Sequence, residues 1–132
     1  MPTRDQVRDW SEAYRKAWED ADSEAVAELF AEDSSYRELI YEVPNLGRSG
    51  VIEYWNKVTS GQSDVTVRMG EPFVDGDRAT VEFWTNMTVE SNPVTLAGCL
   101  LLTFDSDGLC SALREYWNFT EGAHQPPEGW GT

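Results

Sequence analysis

The chain has 132 residues, of which 24 are Asp or Glu and 10 are Lys or Arg, so its formal net charge at pH 7 is −14. This length predicts one domain with a hydrophobic core of its own. So negative a chain is expected to bind neither nucleic acid nor an anionic membrane surface. No apolar run approaches the roughly 20 residues that cross a bilayer, and Met1-Pro2-Thr3 does not resemble the start of a secretory signal.

The two cysteines, Cys99 and Cys110, are too few for a disulfide scaffold. They fall on facing strands of a predicted hairpin but out of register, so their Cα atoms should lie farther apart than the ~7 Å that a disulfide spans. We therefore expect free thiols and a cytoplasmic protein.

The N-terminal part of the chain predicts three helices and a short strand. Val7, Trp10, Tyr14 and Trp18 recur at three- and four-residue spacing, which is the pattern of one apolar helical face. Ser23 is expected to cap a second, shorter helix. The second helix is expected at residues 23–30 and the strand at 34–41. A loop at 43–49 then leads into the third helix, which runs from Ser49 or Gly50 to Gly61.

The rest of the chain predicts antiparallel strands separated by turns. Asp-Gly pairs at 75–76 and 107–108 supply the glycine that a hairpin turn needs where φ becomes positive. On the last strand Leu113, Glu115 and Trp117 share one face, so an acid lies beside an aromatic ring where a core strand would carry Val or Ile. The segment 121–132 is rich in Gly and Pro and is expected to be an irregular tail that Trp130 can anchor.

Helices followed by a long antiparallel sheet indicate an α+β domain. Several stretches resemble the SnoaL-like and ketosteroid isomerase-like branch of the nuclear transport factor 2-like superfamily: Ala-Glu-Leu-Phe-Ala-Glu-Asp at 27–33, Gly-Arg-Ser-Gly at 47–50, Ile-Glu-Tyr-Trp at 52–55, Phe-Asp-Ser-Asp-Gly at 104–108 and Leu-Arg-Glu-Tyr-Trp at 113–117. The resemblance covers roughly residues 7–119. It implies three helices packed in the concave face of a curved, mostly antiparallel sheet, a cone-shaped α+β barrel formed by a single domain at 1–120.

The resemblance also implies a site. In ketosteroid isomerases a carboxylate removes a proton beside a carbonyl group, while a Tyr and a protonated acid hold the enolate oxygen. Glu38 falls at the position of the base and Tyr14 at that of the oxyanion Tyr, with Trp55 supporting it. Leu100 takes the place of the second oxyanion acid and cannot donate a hydrogen bond, which puts true steroid isomerisation in doubt.

Glu115 is a third candidate catalytic residue, because its flanking face residues predict burial. A buried Glu without a cationic partner has a raised pKa and suits proton transfer near neutral pH, whereas a Glu paired with Arg would be structural. Each candidate has a plainer interpretation: Tyr14 as a core residue and Glu38 as a solvent-facing acid. The expected lining of an apolar substrate pocket consists of Trp18, Tyr36, Trp55, Phe83, Thr85, Met87, Leu100, Leu102 and Trp117.

The sequence predicts no cofactor and no metal. His124, the only histidine, lies in the segment expected to be irregular, which argues against a Ser–His–Asp arrangement, and a single His disfavours zinc. No phosphate-binding Gly loop or dinucleotide motif is present.

Three functions remain open at this point. The first is an enzyme without cofactor, of the isomerase, cyclase or dehydratase type, acting on an apolar carbonyl compound. The second is a protein that binds an apolar small molecule without converting it. The third is an association module, most simply a homodimer, formed through the outer sheet face that carries Trp84, Leu101 and Tyr116. An epoxide hydrolase ranks lower, because Arg37 and Arg114 are both predicted to point outward.

Overall fold

The structure is a computed structural model that describes residues 1–132. Three helices and seven strands follow one another in the order α1 Arg4–Glu19, α2 Ser23–Ala27, β1 Phe30–Arg37, β2 Asn45–Leu46, α3 Gly47–Thr59, β3 Gln62–Met69, β4 Phe73–Asp75, β5 Arg78–Val89, β6 Asn92–Phe104 and β7 Cys110–Glu121.

The strands form one sheet in the order β2-β1-β7-β6-β5-β3, and β4 pairs with β5 beside β3. Only β1 and β7 run parallel; every other pair is antiparallel. The three helices pack against this curved sheet around one core cluster. The predicted α+β class, with helices against a mostly antiparallel sheet, is confirmed.

Helix α1 begins with a reciprocal cap. The Thr3 side chain accepts a hydrogen bond from the backbone N–H of Gln6, and the Gln6 side chain accepts one from the backbone N–H of Thr3. The predicted apolar face of this helix is buried throughout. None of the three helices is both long and apolar enough to span a membrane.

Both predicted Asp-Gly turns form. Gly76 and Gly108 have φ of 65° and 80°, the left-handed region that glycine enters without strain. The Asp105 carboxylate accepts hydrogen bonds from the backbone N–H groups of Asp107 and Leu109 and so closes the β6–β7 hairpin. Cys110 pairs with Phe104 rather than with Cys99, and both thiols are free, as predicted.

The predicted boundaries around the second helix were wrong. Helix α2 is capped by the Asp22 side chain rather than by Ser23, and it ends at Ala27. Phe30 instead opens β1, because it pairs with β7 and its carbonyl oxygen accepts a hydrogen bond from Arg48. Strand β1 therefore ends at Arg37, and Glu38 lies just beyond the sheet instead of within a strand.

Glycine 98 allows an unusually close approach of β6 to β7. A Cβ atom placed there would lie 2.3 Å from the carbonyl oxygen of Tyr116 and 2.8 Å from the Cα of Trp117. The backbone is thus turned so that a side chain would point into β7 instead of away from the sheet. The close approach fixes where Trp117, the cross-strand partner of Gly98, stands.

The segment after β7 crosses the outer face of the sheet. The indole N–H of Trp84 donates to the carbonyl oxygen of His124, and the Trp130 ring packs edge-on against Trp84 at 6.0 Å between ring centroids. The Arg68 guanidinium lies 5.4 Å from the centre of the Trp130 ring. Trp130 therefore anchors the segment, which partly covers Trp84.

Candidate active site

A chain of hydrogen bonds links α1, β1 and β7 in the interior. The hydroxyl groups of Tyr14 and Tyr36 are 2.7 Å apart, and the Tyr36 hydroxyl donates to Oε2 of Glu115 at 2.6 Å. Tyr14 is 1 %, Tyr36 0 % and Glu115 7 % exposed. We call these three residues the Tyr–Tyr–Glu chain.

The fold explains how the three side chains meet. Strand β1 pairs in parallel with β7, and Tyr36 lies beside Leu113, so the inward face of β7 brings Glu115 next to the Tyr36 hydroxyl. Tyr14 lies on the buried face of α1, with its ring 5.6 Å from that of Trp55 on α3. No Lys or Arg pairs with Glu115, so the structural interpretation of this acid does not apply.

Burial raises the pKa of Glu115 to about 8 because the interior solvates a carboxylate poorly. The hydrogen bond from Tyr36 lowers this pKa, whereas the negative charge of Glu38 raises it. Burial also raises the pKa of Tyr14 and of Tyr36 well above the ordinary value, so both phenols stay neutral donors. At neutral pH the Tyr–Tyr–Glu chain therefore ends in the protonated carboxyl group of Glu115.

Glu115 reaches an open pocket of about 420 Å³ at the end of β1. Glu38 lines the same pocket, and the indole N–H of Trp117 donates to the Glu38 backbone carbonyl at 3.0 Å. Oε2 of Glu115 is engaged by Tyr36, whereas Oε1 has no hydrogen-bond partner in the chain. The other lining residues are Leu39, Ile40, Tyr116 and Asn118. We call this the Glu38–Glu115 pocket.

Glu38 also borders a second depression of about 310 Å³, which Tyr54 and Lys57 line from α3. Burial raises the pKa of Tyr54, and the charges of Glu115 and Glu38 raise it further. The Tyr54 hydroxyl therefore lies within the field of both carboxylates and remains a neutral donor.

Most of the residues expected to line an apolar pocket are packed in the core. Trp18 and Trp55 pack edge to face with ring centroids 5.3 Å apart, and Trp18 also contacts Phe83. Of the expected lining, only Trp117 borders one of the main surface pockets; the remainder are at most 7 % exposed: Trp18, Tyr36, Trp55, Phe83, Thr85, Met87, Leu100 and Leu102. Aromatic rings fill the space where the cavity was expected, and a substrate-binding role for the buried residues stays a prediction.

The arrangement differs from the one expected for Tyr14 and Leu100. Tyr14 lies behind Tyr36 and borders none of the main pockets, so it acts on the pocket only through Tyr36. Leu100 is the direct cross-strand partner of Glu115. An acid is therefore present beside the position that Leu100 occupies, but it comes from the next strand. Counting residues outward from the 105–108 turn would instead pair Leu100 with Leu113, because a register shift between Thr103 and Phe104 offsets the two strands.

No three His, Cys, Asp or Glu side chains come together to form a metal site. The site offers a protonated carboxyl group, a second carboxyl at the rim and neutral phenols. This set of groups can donate and accept protons without a cofactor.

Three helices packed against a large, curved, mostly antiparallel sheet define the nuclear transport factor 2-like class of α+β proteins. Residues 11–113 match the SnoaL-like domain, and the chain belongs to that family. No curated protein is significantly similar to it in sequence.

Solved structures share the fold at low identity. A hypothetical protein with a ketosteroid isomerase-like fold from Catenulispora acidiphila, in complex with trimethylamine, is 19 % identical with a TM-score of 0.73, over 81 % of this chain and 83 % of that one. The epoxide hydrolase/cyclase-like enzyme SalBIII, which has a role in pyran ring formation in salinomycin, is 20 % identical with a TM-score of 0.75, over 88 % of this chain and 95 % of that one. An LEH-like epoxide hydrolase from Mycobacterium tuberculosis is 17 % identical with a TM-score of 0.71, over 86 % of this chain and 83 % of that one.

Proposed function

We propose that the protein is a cofactor-independent enzyme that uses Glu115 and Glu38 for general acid–base catalysis on a small apolar carbonyl compound, in an isomerase, cyclase or dehydratase type of reaction. The observation that carries the proposal is the position of Glu115. It is a buried carboxyl group held by Tyr36 through one oxygen, and Glu115 lines an open pocket that Glu38 also lines.

The hydrogen bond from Tyr36 fixes the role of each Glu115 oxygen. Oε2 accepts from the Tyr36 hydroxyl, so the proton of the neutral carboxyl group belongs on Oε1, and we infer that Oε1 faces the pocket that Glu115 lines. Oε1–H donates to the carbonyl oxygen of the substrate as negative charge develops there. Tyr14 supports the donor orientation of Tyr36 and is a positioning residue.

Glu38 supplies the second half of the reaction. Its carboxylate takes a proton from the carbon beside the substrate carbonyl and returns that proton at another carbon, which completes an isomerisation with no net gain or loss of atoms. A carboxyl group held in its neutral form beside a base at one pocket is an arrangement suited to such chemistry.

The kinetic test uses a β,γ-unsaturated ketone and the variants Glu38→Gln and Glu115→Gln. Each variant should lower kcat/KM roughly a hundredfold, since each removes one acid–base group. Wild-type activity should also fall above about pH 8, where Glu115 loses its proton, and Glu115→Gln should lack this decline. Glu28→Gln, at the exposed residue that follows α2, is the matched control.

Two outcomes would separate the roles. Full activity in Glu38→Gln with none in Glu115→Gln would move the base function to β7. Full activity in Glu115→Gln would remove the proposal.

Epoxide opening, the chemistry named for two of the structural neighbours, is less well supported here. Neither Arg37 nor Arg114 lines the Glu38–Glu115 pocket, and the Arg37 guanidinium donates to the Glu42 carbonyl instead. The pocket thus lacks a cation between its two acids.

A second candidate function is the binding of an apolar molecule between the helices and the sheet without turnover. Trp55 Nε1 and Thr85 Oγ1 are buried there without a hydrogen-bond partner, and such atoms cost about 1–3 kcal/mol each. A ligand with polar atoms that parts the aromatic rings would satisfy them. An increase in melting temperature with an apolar ketone, combined with no turnover by any variant, would favour this function.

As a partner we propose a second copy of the chain, in a cytoplasmic setting that the two free thiols support. Leu101 and Tyr116 lie on the outer sheet face, and Tyr116 is 47 % exposed. Trp84 lies on the same face but offers less exposed surface for a dimer contact than the sequence predicts, because Trp130 packs on it.

Tyr116→Glu should convert this homodimer to a monomer, since a carboxylate at the centre of an apolar contact leaves a buried charge unpaired. Sedimentation velocity at tens of micromolar measures the change. Tyr41→Glu is the control, because Tyr41 is 97 % exposed outside the sheet. A wild-type protein that already sediments as a monomer would remove the proposed dimer.

A further inference from the structure

The Glu38–Glu115 pocket has an unusual balance of charge. Of its seven lining residues, Glu38 and Glu115 are acids and none is Lys or Arg; Glu115 is held neutral, so Glu38 carries the negative charge of the pocket. Lys57 lines only the neighbouring depression on the α3 side of Glu38. The pocket also belongs to a chain whose net charge is −14, so the surrounding field attracts cations.

Two further features show that this is more than a group of acids at a surface. Glu115 lines this pocket while only 7 % exposed, and its Oε1 has no hydrogen-bond partner in the chain. Trp117 is 38 % exposed, and its indole N–H donates to the backbone carbonyl of Glu38, so Trp117 is tethered to Glu38 and both residues line the pocket.

We propose that this pocket binds an organic cation, an alkylammonium group carried by the substrate, between the Trp117 ring and the Glu38 carboxylate. An aromatic ring attracts a cation held over its face within about 6 Å, and tryptophan does so best. Leu39 and Ile40 line the same pocket and suit the alkyl groups on the nitrogen.

The inference rests on the proposed acid–base function and changes its substrate class from an apolar carbonyl compound to a carbonyl compound that carries an alkylammonium group. A carboxylate has two oxygens, so Glu38 holds the ammonium group with one and accepts the proton from carbon with the other. A positive charge near Glu38 also offsets the charge that raises the pKa of Glu115. The bound substrate thereby brings the pKa of Glu115 closer to neutral pH, where proton donation is most effective.

The test compares two ligands of nearly equal shape, choline and its uncharged analogue 3,3-dimethylbutan-1-ol, by isothermal titration calorimetry on the wild-type protein. Measurements at 150 mM salt screen the general attraction of the acidic surface. Choline should bind at least about tenfold more tightly than the alcohol. Equal affinities would show that the pocket selects apolar volume and not charge, which would overturn the inference.

Variants then locate the bound cation. Glu38→Gln should weaken choline binding about tenfold, and affinity should fall in the order Trp117, Trp117→Phe, Trp117→Leu, as the attraction of each side chain for a cation falls. Glu28→Gln removes one charge elsewhere and should leave the affinity unchanged. Circular dichroism melting curves verify that each variant is folded.

The result separates this inference from the proposed function. Failure of choline to bind at millimolar concentration, with ketone turnover still dependent on Glu115, would overturn the cation site and leave the acid–base enzyme intact. Choline binding that depends on Glu38 and Trp117, without any ketone turnover, would keep the cation site and remove the enzyme.

Discussion

Replacing Glu115 with Gln is expected to make the protein more stable than the wild type at pH 8, although the residue is central to the proposed site. In the folded protein burial raises the pKa of Glu115 from 4.5 to about 8. Between these values the folded state holds a proton that the unfolded chain releases. The contribution of this proton on Glu115 to the unfolding free energy is complete below pH 4.5 and is lost progressively as the pH rises to 8.

The expected effect is large. At about 1.4 kcal/mol per pH unit, this window corresponds to roughly 5 kcal/mol of unfolding free energy that the wild type loses and Glu115→Gln does not. The amide has nearly the same shape, and its oxygen can still accept the hydrogen bond from Tyr36. Urea unfolding of both proteins at intervals from pH 4.5 to 9 gives the difference curve, and Glu28→Gln reports the effect of removing one charge.

A difference curve that stays flat over this range would mean that Glu115 is solvated in solution. The Glu38–Glu115 pocket would then lack its neutral acid, and the proposed direction of proton transfer would fail as well. A difference that grows with pH is the expected result. It would also indicate that the loss of catalytic activity above pH 8 is caused by the same ionisation of Glu115.

The fold was predictable because its determinants are local. Spacing along α1 identified the buried face, and Gly108 with its Asp neighbours identified the last hairpin, whose alternation placed Leu113 and Glu115 inside. The start of β1 was not predictable from such patterns. Phe30 continues the apolar pattern of α2, but its pairing with β7 and its bond from Arg48 join residues far apart in sequence.

The candidate site was predictable only in its parts. The sequence named Glu38, Tyr14 and Glu115 as candidates, which stays a prediction, but the bond from Tyr36 to Glu115 spans 79 residues and depends on the parallel pairing of β1 with β7. Periodicity alone does not reveal a parallel pair between the first and last strands. Likewise, a stripe of large apolar residues is compatible with an open cavity and with a filled core, and the volumes of Trp18 and Trp55 decide for the filled core.

Replacing Gly98 with Ala is expected to cost at least about 3 kcal/mol, even though the change adds a single methyl group. The new Cβ would meet two backbone atoms of β7 and the Cβ of Trp117 at 2.3 to 2.8 Å. Backbone cannot move aside as a side chain can, so β6 and β7 must separate. Overpacking by one methylene commonly costs about 1–3 kcal/mol where side chains can adjust, and this position allows no such adjustment. Differential scanning calorimetry should show a melting temperature lower by the order of 10 °C.

The matched control is Gly61→Ala at the end of α3, where the nearest atom to an added Cβ is 4.0 Å away and φ is not positive. Its stability should stay within about 0.5 kcal/mol of the wild type. A melting temperature for Gly98→Ala close to that of Gly61→Ala would show that the two strands do not approach so closely in solution. Because Gly98 pairs with Trp117, separation of the strands also shifts the ring that borders Glu38. Ligand affinity should therefore fall together with stability in Gly98→Ala, whereas it should be unchanged in Gly61→Ala.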